Sequence, residues 1–404
     1  MVEAETIVRV ARDIVLPRVR RTPLYTSASI SEAAGVADLH LKMENLQSTG
    51  SFKIRGATAR IAAMDAGERA RGVVAASAGN HAQGVALAAR EAGVGAVVVM
   101  PRTASNAKVQ ATAGYGAQVV LAGANFDEAV AAARQRASET GSVFVSAYDD
   151  DHVITGQGSL GVELLDDLPG VDTVLIPIGG GGLFAGVATA IKAARPACRV
   201  IGVQAAGADA AARSFRAGRL LESGAPPDTI ADGIAIKSPS IRTFSYIRAY
   251  ADDVVTVEDA TIAEAILLLL TRMKVLVEPS GAASLAALLE HPGIARGKTV
   301  CLLCGGNLDI KLLSDIIERG LVRSGRYLHF RSDVPDRPGG LAGLLEAVAD
   351  AGGNVMEVEH NRLDPEIAYG RTGVEVLVET RGAAHAADIE RKLAGAGYRI
   401  RRFG

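Results

Sequence analysis

Short unbroken apolar runs alternate with longer alanine-rich stretches from about residue 72 onward. Gly72 to Ser77 precedes Ala82 to Ala92, Ala96 to Met100 precedes Asn106 to Ala113, and Gln118 to Ala122 precedes Asn125 to Thr140. Runs of this kind read as strands buried on both faces with helices between them, so the rhythm predicts parallel sheets covered by helices. It resumes with Thr173 to Ile178, Leu183 to Ala194 and Arg199 to Gln204, and again with Asp253 to Val257 before a helix over Ala260 to Leu276. Two α/β layers are therefore expected before residue 320.

The rhythm changes near Tyr327. Strand Tyr327 to Val334, helix Gly340 to Ala351, strands Asn354 to Arg362 and Gly373 to Thr380, helix His385 to Ala396 and strand Tyr398 to Arg402 spell β-α-β-β-α-β. That is the ferredoxin-like order. The charged segment Glu318 to Arg326 reads as the linker, giving a body over 1–320 and a second domain over 327–404.

Length and composition narrow the partners. At roughly 100–200 residues per domain, 404 residues hold two to four compact units. The 43 basic and 45 acidic residues nearly cancel, which removes the electrostatic footprint of a nucleic-acid binder and favours a small neutral or zwitterionic ligand. Cys198, Cys301 and Cys304 lack the histidine neighbours of a zinc site and read as reduced thiols. Glu3, Glu5 and Arg9 interrupt any apolar leader, and no uncharged run reaches the ~20 residues that span a bilayer, so a soluble cytoplasmic chain with no membrane partner is expected. Glycine, at 45 residues, is about 11% of the chain against roughly 7% in average usage, and it clusters where strands should end.

Four segments carry candidate chemistry. In Gly50-Ser51-Phe52-Lys53-Ile54-Arg55-Gly56-Ala57 a lysine stands where a helix should start; the positive end of a helix disfavours an ammonium ion, so Lys53 is either a poised amine or an ordinary surface cation. Ser77-Ala78-Gly79-Asn80-His81 ends one apolar strand and opens a helix, a turn whose N–H groups suit a carboxylate. Asn80 there serves as a ligand or only as a cap, and His81 alone reads more as a helix residue than as a catalyst. Val174 to Ile178 runs into Gly179-Gly180-Gly181-Gly182-Leu183, a backbone able to wrap a phosphate or merely a flexible loop, and matches neither a Walker loop nor a G-x-G-x-x-G turn. Cys304-Gly305-Gly306-Asn307 ends a third buried strand. Together these describe a site for a phosphorylated aldehyde cofactor and an amino acid.

With Val277-Glu278-Pro279-Ser280-Gly281 added, these motifs resemble the fold-type II pyridoxal-phosphate enzymes, and within them the threonine/serine dehydratase branch, over residues 5–320. Residues 327–404, with Asp336-Arg337-Pro338-Gly339-Gly340-Leu341 leading into a helix, look like an ACT regulatory domain. The resemblance implies a two-domain body like the tryptophan synthase β chain, with a small domain of about 57–147 inserted in a large one. It implies pyridoxal 5'-phosphate held on Lys53, with Phe52 packed on the ring. Gly179, Gly180, Gly181, Gly182 and Leu183 would meet the phosphate, Asn80 the ring hydroxyl and Cys304 the pyridine nitrogen. Ser77, Ala78, Gly79, Asn80 and His81 would receive the substrate carboxylate.

The implied reaction is β-elimination from L-threonine to 2-oxobutanoate and ammonia, with L-serine giving pyruvate. A serine dehydratase or a serine racemase of the same fold is the nearest rival. Ala78 stands where the racemases carry a second serine, and Gln204 and Ala210 stand where they carry the carboxylates of a divalent-cation site, so no metal is expected. A rival of another class is a non-catalytic amino-acid sensor. The C-terminal resemblance implies isoleucine or valine bound by Asp336, Arg337, Pro338 and Gly339 with Asn354, in a homodimer or homotetramer.

Overall fold

A computed structural model describes residues 1–362 and 367–403, and the described residues form fourteen strands in three sheets. They fall into two units, Met1–Leu308 and Asp309–Gly404. The strands of the first unit are β1 (Leu24–Thr26), β2 (Leu39–Lys42), β3 (Val73–Ala76), β4 (Ala96–Met100), β5 (Gln118–Leu121), β6 (Val143–Phe144), β7 (Thr173–Pro177), β8 (Arg199–Ala205), β9 (Asp253–Val257) and β10 (Thr299–Leu302). They form a six-stranded sheet in the order β1-β2-β10-β7-β8-β9 and a four-stranded sheet in the order β5-β4-β3-β6. Each pairing of these strands is parallel except β1 with β2.

Strands β3, β7 and β10 are buried at every position, as continuous apolar runs covered by helices on both faces must be. The larger core joins Val174, Ile176 and Leu302 to Phe184 and Ile191; the other layer centres on Val73, Ala75, Val85 and Leu87. The crossings from strand to helix in these layers put loop backbone at the C-terminal edge of a parallel sheet, where open α/β folds bind ligands.

Two expectations need correction. The segment Glu318 to Arg326 is not a linker: a helix covers Ile310–Arg323, capped by Asp309 accepting from the Lys311 N–H. Leu313, Ile316, Ile317 and Leu321 recur at helical spacing there, and the charges that suggest a linker are the helix's outer face. The helix expected over Ala260 to Leu276 runs Asp259–Leu268, widens into a π turn over Leu269–Met273, and stops at Lys274, whose φ of 62° is left-handed.

The helix Asp151–Asp167 has no counterpart among the sequence expectations, because its Gly156, Gly158 and Gly161 lower helix propensity. Its glycines allow close helix packing instead. A Cβ on Gly186, in the helix Gly182–Ala194, would lie 2.2 Å from the Ile154 carbonyl and 2.5 Å from the Gly158 nitrogen.

The second unit contains β11 (Tyr327–Pro335), β12 (Asn354–Asn361), β13 (Arg371–Glu379) and β14 (Ile400–Arg402), with helices Gly340–Asp350 and Ala383–Gly395. The antiparallel sheet is ordered β12-β13-β11-β14. Leu328, Phe330, Ser332 and Val334 are buried while their neighbours along β11 are part-exposed, the alternation of a sheet with helices on one face. Among the described residues no helix is long and apolar enough to cross a membrane.

Candidate active site

The Lys53 turn is stitched to the end of β10. The Phe52 N–H donates to the Cys304 carbonyl (3.2 Å), the Gly306 N–H donates to the Gly50 carbonyl (2.8 Å), and Ser51 bridges Gly305. Lys53 is therefore the first residue of the helix Lys53–Ala62. Its Nζ lies 5.1 Å from the Phe52 ring centroid and donates to the Ala147 carbonyl at 3.1 Å. Burial brings the amine down to about 8, against the nearby Cys304 and Glu278, which favour the ammonium form. A lysine so placed is neutral often enough near pH 7 to act as nucleophile and base.

The glycine loop leaves β7 and turns into the helix Gly182–Ala194, with Gly181 at its N-cap in a left-handed conformation, φ 90°. Gly180 faces Tyr148 so closely that a Cβ there would lie 2.3 Å from the ring. The loop thus presents backbone N–H groups and no side chains, as an anion cradle at a helix N-terminus requires. Leu183 sends its side chain into the core beside Phe52 and Cys304, so only its backbone faces the loop.

The turn Ser77 to His81 is more committed than its sequence suggests. Gly79 caps the helix Asn80–Glu91 without a side chain, and the Ser77 Oγ accepts from the Gly79 N–H at 3.1 Å. His81 is buried, its Nε2 donating to the Val145 carbonyl at 2.9 Å, and burial with the neighbouring Lys53 brings it down to about 4. Its imidazole is neutral and occupied. The Asn80 Nδ2 donates to both oxygens of Glu278, at 2.8 and 3.0 Å, and its Oδ1 accepts from the Asn307 amide.

At the end of β10 the Cys304 thiol donates to the Ser280 carbonyl at 3.6 Å, and burial pushes the thiol up. The Ser280 Oγ beside it is buried with no hydrogen-bond partner among the described residues. An orphaned hydroxyl next to an inert thiol, a side-chain-free loop and a depressed lysine fit a pyridine nitrogen, a phosphate and an aldehyde respectively.

Glu278, Ser280, Asn307 and Tyr148 carry no assigned role in the sequence. Glu278 directly precedes the proline opening the helix Pro279–Glu290, which reads as a helix-start signal and says nothing of burial. Gln204 donates to the Ile178 carbonyl and accepts from the Ala212 N–H, and Asp209 pairs with Arg213.

In the second unit, Asp336, Arg337, Pro338 and Gly339 form the turn before the helix Gly340–Asp350, with Asp336 paired to Arg362 at 3.2 Å. Asn354 is not beside them. It opens β12 opposite Glu379, while the turn follows Pro335 opposite Arg371, at the other end of the sheet. The helix between them runs back along the sheet and starts β12 at the far edge, and the Asn354 Nδ2 there donates to Glu379 at 3.1 Å.

A side-chain-free glycine loop, a buried helix-start lysine and the Ser77 to His81 turn fit a pyridoxal-phosphate site, and the family model described as pyridoxal-phosphate dependent enzyme matches residues 15–305. The chain belongs to that family. An L-threonine ammonia-lyase of Thermotoga maritima is 47% identical over 386 residues, covering 96% of each chain. Among solved structures, the processed form of threonine deaminase isoform 2 from Solanum lycopersicum matches with a TM-score of 0.74 and 35% identity over 78% of this chain and 87% of that one. Maize serine racemase matches with a TM-score of 0.74 and 36% identity over 80% of this chain and 98% of that one.

Proposed function

We propose that this chain is an L-threonine ammonia-lyase of the cytoplasm. It eliminates the β-hydroxyl of L-threonine as water and, after hydrolysis, releases 2-oxobutanoate and ammonia; L-serine gives pyruvate by the same route. The observation that carries this is Lys53, buried, depressed to about 8 and set at a helix start against the end of β10. The names of the relatives support the substrate.

Pyridoxal 5'-phosphate supplies, when bound, an aldehyde for the amino group and a ring that withdraws electrons from Cα. Lys53 holds it, the N–H groups of Gly179 to Gly182 and of Leu183 meet its phosphate, Phe52 flanks the ring, and Asn80 meets its hydroxyl. Ser77, with the backbone of Ala78, Gly79 and His81, orients the substrate carboxylate. Lys53 Nζ, once free, takes the Cα proton. Cys304 and Ser280 are neutral partners for the ring nitrogen and do not hold a proton there as a carboxylate would, which favours prompt loss of the leaving group. Ala78 offers no hydroxyl to return a proton to the opposite face of Cα. Residues 57–147 act as a small domain that closes on the rest of the body and excludes water.

Residues 327–404 act as an ACT-type regulatory domain in a homodimer or homotetramer. The turn Asp336 to Gly339 takes the carboxylate of isoleucine or valine where two copies meet, and Asn354 enters only from a second copy. Such an effector acts through its different affinity for active and inactive states.

Steady-state formation of 2-oxobutanoate and pyruvate from L-threonine and L-serine, with and without isoleucine and valine, tests the whole reading. Threonine turnover with effector-shifted saturation is expected. D-serine formed from L-serine without keto acid would make the protein a racemase. Amino-acid binding without turnover or cofactor absorbance would make it a sensor.

A further inference from the structure

Glu278 is a carboxylate buried to 5% exposure at the centre of the site. It stands just before the helix Pro279–Glu290, which packs on the six-stranded sheet, and its partner Asn80 opens the helix that follows β3 of the four-stranded sheet. Both Glu278 oxygens accept from the Asn80 Nδ2, and Oε2 also accepts from the Asn307 N–H at 3.1 Å. Gly305 makes room for it: a Cβ there would lie 2.3 Å from Oε1. The titratable groups facing it are Lys53 at the start of its own helix, Asp232 on the turn Asp232–Ile234 and Cys304 at the end of β10.

We propose that Glu278 is a positioning residue that sets which atom of the Asn80 amide is presented to the bound cofactor. An ionised carboxylate only accepts hydrogen bonds, so it takes the amide nitrogen and leaves Oδ1 toward Asn307. A protonated Glu278 turns one of its acceptors into an O–H donor that faces the Asn80 Nδ2 donor, which weakens the two-oxygen grip on the amide. The end of the amide beside the ring is then no longer fixed. Burial pushes Glu278 up to about 7, against the hydrogen bonds from Asn80 and Asn307, which favour the charged form. The ordered arrangement therefore holds above about pH 7 and is lost below it. This rests on pyridoxal phosphate lying beside Asn80 as proposed above.

The test compares the wild-type holoenzyme with Glu278→Gln. Glutamine keeps the shape but turns one acceptor into a donor facing donors. At pH 8 we expect kcat for threonine to fall tenfold or more with KM changed less than threefold, and the acid limb of kcat near pH 7 to vanish. A variant with kcat within twofold of wild type and the same acid limb would overturn the proposal. Wild-type hydrogen exchange supplies a reading that needs no variant. Protection of the Asn307 amide, corrected for the intrinsic rate, should fall as pH drops from 8 to 6, and unchanged protection would also overturn it. A wild-type protein inactive on threonine refutes the substrate assignment instead, and the exchange result still decides the role of Glu278.

Discussion

Replacing Arg55 with methionine should destabilise the first unit by about 3–5 kcal/mol, the range for breaking a buried ion pair from one side. Arg55 stands two residues after Lys53 and is fully buried, as are Lys42, Glu44 and Glu163. Its Nε and Nη2 donate to the two oxygens of Glu44 at 2.8 and 2.7 Å, and Nη2 also donates to Glu163 at 2.9 Å. Glu163 keeps a second cation, Lys42 at 2.7 Å, whereas Glu44 would be left with the Thr22 hydroxyl at 2.6 Å and the weaker pull of Lys42, to which it makes no ion pair. The cost therefore falls on Glu44. Burial alone would raise its carboxyl, and the charge and hydrogen bonds of Arg55 hold it below the usual range instead. In the wild type, then, Glu44 contributes stability above its unfolded pKa and loses it as pH falls through the lowered folded value. In Arg55→Met burial dominates, the folded value rises above the unfolded one, and acid relieves the strain. Calorimetry of the holoenzyme should show Tm lower by about 10 °C near pH 7, at roughly 2–4 °C per kcal/mol for a domain of this order of size, with the difference shrinking toward pH 4. The double variant Glu44→Met/Arg55→Met should be more stable than the single one. A single variant within 2 °C of wild type would refute the reasoning, as would a double variant less stable than the single.

Three further outcomes are expected. Gly180→Ala should weaken cofactor binding tenfold or more by equilibrium absorbance titration, because its Cβ would lie 2.3 Å from the Tyr148 ring; unchanged affinity would contradict the cradle. Cys304→Ser should retain most activity, and the resting wild-type thiol should resist alkylation, since burial pushes it up and keeps it protonated. In cofactor-free protein, the rate of pyridoxal-phosphate uptake by Lys53 should rise as pH approaches about 8 and level off beyond it, where an ordinary lysine near ~10.4 would still be climbing.

Much of this architecture is written in the periodicity. Strands β4 and β9 coincide with the apolar runs Ala96 to Met100 and Asp253 to Val257, because a short apolar run followed by a helical stretch has few other readings. The helix Asp151–Asp167 is hidden by glycines whose purpose is close packing against another helix, a tertiary fact. The helix Ile310–Arg323 is hidden by its own charged face. At the site, the helix start at Lys53 and the glycine run between a strand and a helix are legible from local pattern, while the roles expected of them rest on the resemblance. Glu278 is not, since nothing local distinguishes a carboxylate capping a surface helix from one buried against Asn80 and Gly305. Asn354 shows the converse: nearness in sequence suggests a shared pocket with Asp336 that strand register forbids within one copy.

The central claim is that Lys53 carries the cofactor from which threonine is deaminated. Borohydride reduction of the holoenzyme, followed by proteolysis and mass spectrometry, tests it most directly. The account predicts one phosphopyridoxyl group, on the peptide containing Lys53, and loss of threonine turnover in step with its incorporation. Label on any other lysine, or full turnover after stoichiometric labelling of Lys53, would contradict it.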